Sequence, residues 1–314
     1  MYISGVNFDA EESTMTKLLG VPEVPNSTGS SQEKAVMQLI ADWDLESCVV
    51  GLVFDTTSSN SGIWRGACTL IEQRLGKATL WIACRHHIYE LHIKHVCDLV
   101  TGNTKDPGVK LFRRLKKSWN SLQIDLLNLI TFDYNTADKQ LINQAQSVLE
   151  WGLGVLDKNV FPRDDYKELI QLIVVWIGGP VKAFSFKFPG ADHHARWMSK
   201  AIYFMKLALV QKQFVLDPKE TVEVNKVAEF VGLFYGKAFL MAPLCASAAN
   251  NDINFMNQML MYSRKEPQIT EVCIALCKRH LWYVTPQLLP FMLCDALSDE
   301  LLRKQLAQKL ISLS

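Results

Sequence analysis

The sequence has little net charge, no apolar run long enough to cross a membrane and no dense cysteine framework. Its 33 lysines and arginines balance 32 aspartates and glutamates, so the whole chain has no electrostatic preference for nucleic acid. The longest apolar run, LIQLIVVWIGG from Leu169, is too short for a bilayer. The start, MYISGVNFDAEES, lacks the basic and apolar regions of a signal peptide. We therefore expect a nuclear or cytoplasmic protein that is not secreted and has no membrane partner.

The eight cysteines lie inside apolar or helical patterns, so we expect reduced thiols rather than disulfides. Cys273 and Cys277 are four residues apart on a predicted helix, and His280 follows them. No fourth ligand is evident for a zinc ion, which favours packing of both thiols in the core.

Basic residues are densest in KLFRRLKKSW, residues 110–119, which holds five of them. Because the chain has no overall charge excess, any basic surface has to be local. The spacing favours the solvated face of an amphipathic helix over a nucleic-acid surface.

The order of predicted elements indicates an α/β portion followed by a large all-α region. Between residues 32 and 101 the pattern reads helix, strand, helix, strand, helix, with strands at 48–54 and 78–84. Such alternation favours parallel strands with right-handed crossovers. The unbroken apolar character of 48–54 predicts a strand buried on both faces. Helices are then predicted at 109–130, 138–157, 163–178, 191–214, 219–241, 252–263, 268–282, 286–295 and 298–312.

Asp55 directly follows the first of these strands, in VFDTTSSN. Open α/β sheets place ligand groups at the carboxyl ends of their strands. Aspartate and glutamate are the side chains that Mg²⁺ prefers, and two or three of them together hold the metal pair of phosphoryl-transfer enzymes. The alternative is that Asp55 caps the following helix or bonds the TTSSN loop, and the residue taken alone favours this alternative.

Further motifs follow Asp55 in a recognisable order: Asn60, then Cys84-x-x-His87 about thirty residues later. This order resembles the hAT superfamily of DNA transposases. In HHARWMSKAIYFMK, Arg196 and Trp197 resemble that superfamily's Arg-Trp motif. Over nearly the whole chain, LLGVPEV, VFDTTSSNSG, ACRHHIYEL, FPRDDYKEL, PGADHHARWMSKAIYF and HLWYV are similar to a group of transposon-derived proteins abundant in invertebrate genomes.

The resemblance implies a ribonuclease-H-like core interrupted by a large helical insertion. Residues 1–101 would be a partial core, 102–265 the insertion-like domain, and 266–314 helices that return to the core. Asp55 would be the second catalytic aspartate and a ligand of Mg²⁺, with Asn60, Cys84 and His87 in supporting roles. Cys84 and His87 alone make no closed zinc site.

The Arg-Trp motif implies a role in nucleic-acid binding. Arg196 would suit a DNA phosphate and Trp197 a stacked, unpaired base. From the residues alone, a tryptophan in a helix interface with an arginine reaching past it to solvent is an equal alternative.

The chain departs from an active enzyme in its other carboxylates. MYISGVNFDAEESTMTKLLGVPEV resembles the strands that follow the family's first aspartate, which leaves Asp9, in a loop-like context, as the upstream substitute. After HLWY, where relatives carry acidic residues, this chain reads VTPQLL. The remaining acidic candidates have no motif support: Glu271, Asp295 and Glu300.

A lone carboxylate cannot hold two Mg²⁺ ions. The sequence therefore predicts a truncated, degenerate and catalytically inactive transposase-derived protein, without a cofactor, that retains DNA or protein binding. The sheet edge left by the missing strand needs a cover or a partner, which another copy of the chain would provide in a homo-oligomer. Two alternatives stay open: an active Mg²⁺-dependent transposase or nuclease using Asp55, and a helical protein-interaction module.

Overall fold

The computed structural model describes residues 2–5, 15–102, 109–122, 128–182, 184, 186–190, 198–243 and 248–281. The chain divides into two compact units, Met1–His87 and Ile88–Ser314. The first unit contains strands and helices, and the described part of the second contains helices. The chain is thus mainly helical with a small α/β portion at its start, as the element pattern predicted. The units divide after residue 87, earlier than the predicted boundary at 101.

The first unit contains two short sheets. One is an antiparallel pair and the other a parallel pair, in which Gly51 lies opposite Leu80. The antiparallel strands lie in the segment that the sequence likened to the family's later strands. The elements are β1 (Tyr2–Gly5), β2 (Met15–Leu18), α1 (Gly29–Asp42), β3 (Gly51–Phe54), α2 (Ser58–Ser61), α3 (Ala67–Leu75) and β4 (Leu80–Ala83), followed by α4 (Arg85–Thr101), which continues into the second unit.

The core of the first unit lies on one face of β3 and β4. Leu52 of β3 packs with residues of α1 and α3, among them Ile40 and Ile71. On the other face, Val53 is 73% exposed, Leu80 56% and Ile82 43%. The prediction that 48–54 forms a strand buried on both faces is therefore wrong. Successive side chains point to opposite faces of a strand, and the described residues cover only one face here.

The second unit is built from helices whose positions mostly follow the predicted pattern. The helix predicted at 109–130 is an exception, because it ends at Ser118. The described helices after α4 are α5 (Lys110–Ser118), α6 (Lys139–Lys158), α7 (Asp164–Ile177), α8 (Met198–Val210), α9 (Pro218–Phe230), α10 (Gly236–Met241), α11 (Ala248–Tyr262) and α12 (Pro267–His280). A π-helical turn, Val231–Tyr235, joins α9 to α10. The helices predicted at 286–295 and 298–312 lie outside the described residues.

Helices α7 and α8 form the centre of this unit. Every residue from Ala201 to Val210 of α8 is buried, which is typical of a helix enclosed by others. The apolar run that starts at Leu169 belongs to α7 and is buried in the same core. Within the described residues, no helix has the length and apolar character that crossing a membrane requires.

One charged side chain lies inside this core. Lys206 of α8 is 1% exposed, and its Nζ lies 2.6 Å from Oε1 of Glu168 on α7. The same ammonium donates to the carbonyl oxygen of Lys187 at 2.7 Å and lies 5.3 Å from the ring centroid of Trp119. The buried charge is therefore paired, hydrogen-bonded and placed over an aromatic face.

Candidate functional site

The predicted site residues around Asp55 lie where two parallel strands end. Asp55 follows β3 and Cys84 follows β4, and the Cys84 amide donates to the Phe54 carbonyl oxygen at 2.8 Å. The carboxyl ends of both strands therefore meet at one edge of the sheet, which is where α/β sheets position ligand groups. The sequence predicted this position of Asp55 correctly.

The Asp55 carboxylate is bonded to the loop that follows it. Its Oδ1 accepts hydrogen bonds from the Thr57 amide at 2.9 Å, the Thr57 hydroxyl at 2.6 Å and Asn60 Nδ2 at 2.8 Å. The loop-bonding alternative raised by the sequence is thus present in the structure. All three bonds reach Oδ1, and among the described residues no side chain bonds Oδ2. The carboxylate is held in one orientation and keeps one oxygen for a further ligand.

Hydrogen bonds keep this carboxylate ionised. Burial raises the pKa of Asp55, but the bonds from Thr57 and Asn60 and the nearby charge of His87 outweigh burial and bring the pKa below its ordinary value. Asp55 is therefore negatively charged at neutral pH, as both a metal ligand and a loop anchor require.

The structure brings together part of the predicted motif. Asn60 bonds Asp55 directly, and the half-buried His87 acts on Asp55 through its charge. Cys84 is a half-buried free thiol at the end of the neighbouring strand. Glu271 is exposed on α12. The other candidates lie outside the described residues: Asp9, Arg196, Trp197, Asp295 and Glu300.

Asp55 lacks the companions that a metal pair needs. In the part of the chain that the structure describes, no group of three or more His, Cys, Asp or Glu side chains is arranged to hold a metal ion. Phosphoryl transfer by two Mg²⁺ ions needs two or three carboxylates. The described site supplies one, Asp55, so its geometry fits loop anchoring better than metal chemistry.

The cysteine pair on α12 packs in the second core. Cys273 and Cys277 are both fully buried. The Cys277 Sγ lies 3.5 Å from Nε2 of His92, and the Cys273 carbonyl oxygen lies 3.2 Å from the same nitrogen. These thiols have the core positions that the sequence favoured.

Sequence reasoning missed a cavity beside β3. It has a volume of about 530 Å³ and is lined mainly by apolar side chains of α1, α3 and the segment 45–54, with Asn60 at its border. The signal in the sequence was the continuous apolar run at 48–54. A short strand with one covered face needs apolar side chains only at alternate positions.

Replacing Asp55 by alanine is expected to lower the free energy of unfolding by about 1–2 kcal/mol, because three donors lose their acceptor. Asp55→Asn keeps Oδ1 and should lose less than half of that. Urea denaturation measures both. Asp157→Ala, at an exposed position of α6, is the control and should stay within about 0.5 kcal/mol. An Asp55→Ala variant as stable as the parent would contradict the anchoring role.

Comparison with known proteins leaves this site to be interpreted from its own geometry. No protein-family model, no curated protein and no solved structure matches this chain. The resemblance to hAT transposases therefore stays a prediction that rests on the motifs themselves.

Proposed function

We propose that this chain is a catalytically inactive, transposase-derived protein that binds DNA. The observation that carries the proposal is the state of Asp55. It stands at the carboxyl end of a parallel strand, where a transposase would use it, yet its Oδ1 is bonded to Thr57 and Asn60. Among the described residues, no group of three or more His, Cys, Asp or Glu side chains is arranged to hold a metal ion. Asp55 thus keeps the position of a catalytic aspartate, but a single carboxylate cannot hold two Mg²⁺ ions.

The arrangement of strands supports a partial ribonuclease-H-like core. β1 and β2 occupy the segment that resembles the strands after the family's first aspartate, and Asp55 ends the next strand, β3. The sheet elements are thus those expected downstream of that aspartate.

DNA binding is the transposase property that does not depend on the missing carboxylates. In the proposed function Arg196 contacts a phosphate and Trp197 stacks on an unpaired base, as the Arg-Trp motif implies. Both tasks need only a cation and an aromatic face, which the sequence retains.

We expect the full chain to bind a fluorescent 30-base-pair duplex with an affinity that falls steeply between 50 and 200 mM salt, measured by anisotropy. Arg196→Ala/Trp197→Ala should bind more weakly, and more so on a duplex with a single-stranded end. With Mg²⁺ or Mn²⁺ added, the parent should nick supercoiled DNA no faster than Asp55→Asn.

Two outcomes would overturn parts of this proposal. Metal-dependent nicking that Asp55→Asn abolishes would show an active nuclease and refute the inactive assignment. Absence of DNA binding at 50 mM salt would refute the binding function.

The described residues leave one face of β3 and β4 uncovered, which favours a second candidate, a protein-interaction module without a nucleic-acid role. Val53 and Leu80 are apolar and more than half exposed there. Parallel sheets are normally covered on both faces, so a partner chain would complete this one. This candidate predicts a stable complex and no salt-dependent affinity for DNA, and the same titration separates it from the first.

A further inference from the structure

Helix α5 separates its charges completely from its apolar side chains. Leu111, Phe112 and Leu115 are at most 7% exposed and pack in the second core. The exposed residues of the helix are all basic: Lys110, Arg113, Arg114 and Lys117. The segment 109–122 contains no acidic residue. A chain of net charge +1 therefore concentrates cations on one face of a nine-residue helix.

Arg114 anchors the helix, and Lys110 and Lys117 add to its surface charge. Arg114 pairs with Glu220, donates to the Val215 carbonyl oxygen at 2.7 Å and lies 5.4 Å from the ring centroid of Phe214. Among the described residues, neither Lys110 nor Lys117 has an acidic partner. Lys110 and Lys117 therefore add positive charge to this face beyond the Arg114–Glu220 pair.

A cleft of about 540 Å³ borders this face. Its lining includes Arg114, Lys117, Ser118, Ser121 and Gln213, and none of the described residues that line it is acidic. Guanidinium, ammonium, hydroxyl and amide groups are the donors that contact phosphate oxygens in protein–DNA complexes. The cleft thus extends the cationic surface with neutral donors.

The shape of the surface selects among anionic partners. An amphipathic membrane helix inserts its apolar side into the lipid, but that side of α5 is buried in the core, which leaves only electrostatic attraction to an anionic membrane. Nine residues of helix extend about 13 Å. Over that length a DNA duplex presents several phosphates, since it carries one charge per about 1.7 Å of its axis. A linear polyanion matches a row of cations better than a single small anion does.

We propose that the exposed face of α5, together with the cleft beside it, contacts the phosphate backbone of DNA without reading base sequence. This inference rests on the proposed DNA-binding function and adds a second contact region to Arg196 and Trp197. Exposed lysine and arginine side chains contribute through release of counterions, so removing them reduces the salt dependence of binding.

The test compares two triple variants of the full chain that carry the same change in net charge. Lys110→Gln/Arg113→Gln/Lys117→Gln removes charges from α5 and keeps Arg114, which supports packing. Lys139→Gln/Lys158→Gln/Lys182→Gln removes exposed lysines outside α5. Anisotropy with the 30-base-pair duplex over 50–200 mM salt gives the affinity and its salt slope. Urea midpoints equal to that of the parent show that both variants are folded.

We expect the α5 variant to bind at least tenfold more weakly at 100 mM salt, with a log–log slope smaller by about 2–3. The matched variant should keep the slope of the parent. Equal weakening by both variants would overturn the α5 contact in favour of a net-charge effect.

Two further results would overturn the inference in different ways. If the parent and the α5 variant bind DNA equally well, α5 does not contact DNA, and the proposed function still stands. A parent that fails to bind at 50 mM salt would remove both. Polyglutamate can be added as a competitor at a concentration of charge equal to that of the duplex. If it displaces the duplex from the parent but not from the α5 variant, the surface binds an acidic protein partner instead.

Discussion

Lys206→Met is expected to lower the free energy of unfolding by about 3 kcal/mol, because it leaves the Glu168 carboxylate largely buried without its cation. The side chain of Lys206 is 1% exposed and that of Glu168 is 14% exposed. The substitution also removes the donor to the Lys187 carbonyl oxygen. Methionine has a similar size and no charge, so the loss comes from broken pairing rather than from a cavity. Chemical denaturation at neutral pH measures it.

Two further variants separate pairing from packing. Lys219→Met breaks an exposed pair with Glu223, in which the atoms lie 3.6 Å apart and Lys219 is 83% exposed, so its effect should be below about 0.5 kcal/mol. Lys206→Met/Glu168→Leu removes the unpaired carboxylate as well and should recover most of the loss. A double variant no more stable than Lys206→Met would show that the charge pair is not the cause.

Acidification from pH 7.5 to pH 5 is expected to cost the parent about 2 kcal/mol through His92 alone, and about 3 kcal/mol by pH 4. Burial lowers the pKa of His92 to about 4, against 6.5 for an ordinary histidine. Between these values the unfolded chain binds a proton that the folded chain excludes. The stabilising contribution of neutral His92 is therefore complete above pH 6.5 and declines as the pH falls towards 4.

The surroundings of His92 explain why burial prevails. Its Nδ1 lies 2.8 Å from the Ile88 carbonyl oxygen, which fits a neutral ring that donates from Nδ1. The carbonyl oxygens of Ile88 and Cys273 and the charge of Asp252 raise the pKa of His92, whereas burial and His280 lower it. Removal of the imidazole from water is the largest of these effects, so the pKa falls.

His92→Gln keeps a donor and removes the titration, so it isolates this contribution. Urea denaturation at pH 7.5 and pH 5 should give a smaller difference for the variant than for the parent, by about 2 kcal/mol. The variant is expected to be less stable at pH 7.5, and only the difference between the two pH values is compared. An equal pH dependence in both proteins would exclude His92 as the titrating group.

Helix positions were largely predictable because long helices repeat their apolar residues with one period. The pattern at 138–157 predicted α6, Lys139–Lys158, and the pattern at 163–178 predicted α7, Asp164–Ile177. The π-helical turn after Phe230 was not predicted. Almost every residue around it is apolar and buried, so no change of period is visible in the sequence.

The position of the candidate site and the bonding of Asp55 to the loop after it were predictable, but the identity of the donors was not. An aspartate after an apolar run indicates a strand end, and the family motif brought Asn60 into the prediction. Nothing in the letters TTSSN specifies that Thr57 contributes two bonds to the same oxygen of Asp55. The one-sided burial of β3 was also missed, because an apolar run does not reveal whether its second face has a cover.

The π-helical turn between α9 and α10 has a consequence for changes in chain length. Such a turn accommodates one residue more than an α-helical turn, while the helix before it and the helix after it keep their faces aligned. Loss of one residue between Val231 and Tyr235 would leave an ordinary α-helix, with Phe239 still directed into the core. The same loss within α8 would rotate all later residues of that helix by about 100°. Val231–Tyr235 is therefore the place in these helices where a one-residue deletion is most readily absorbed.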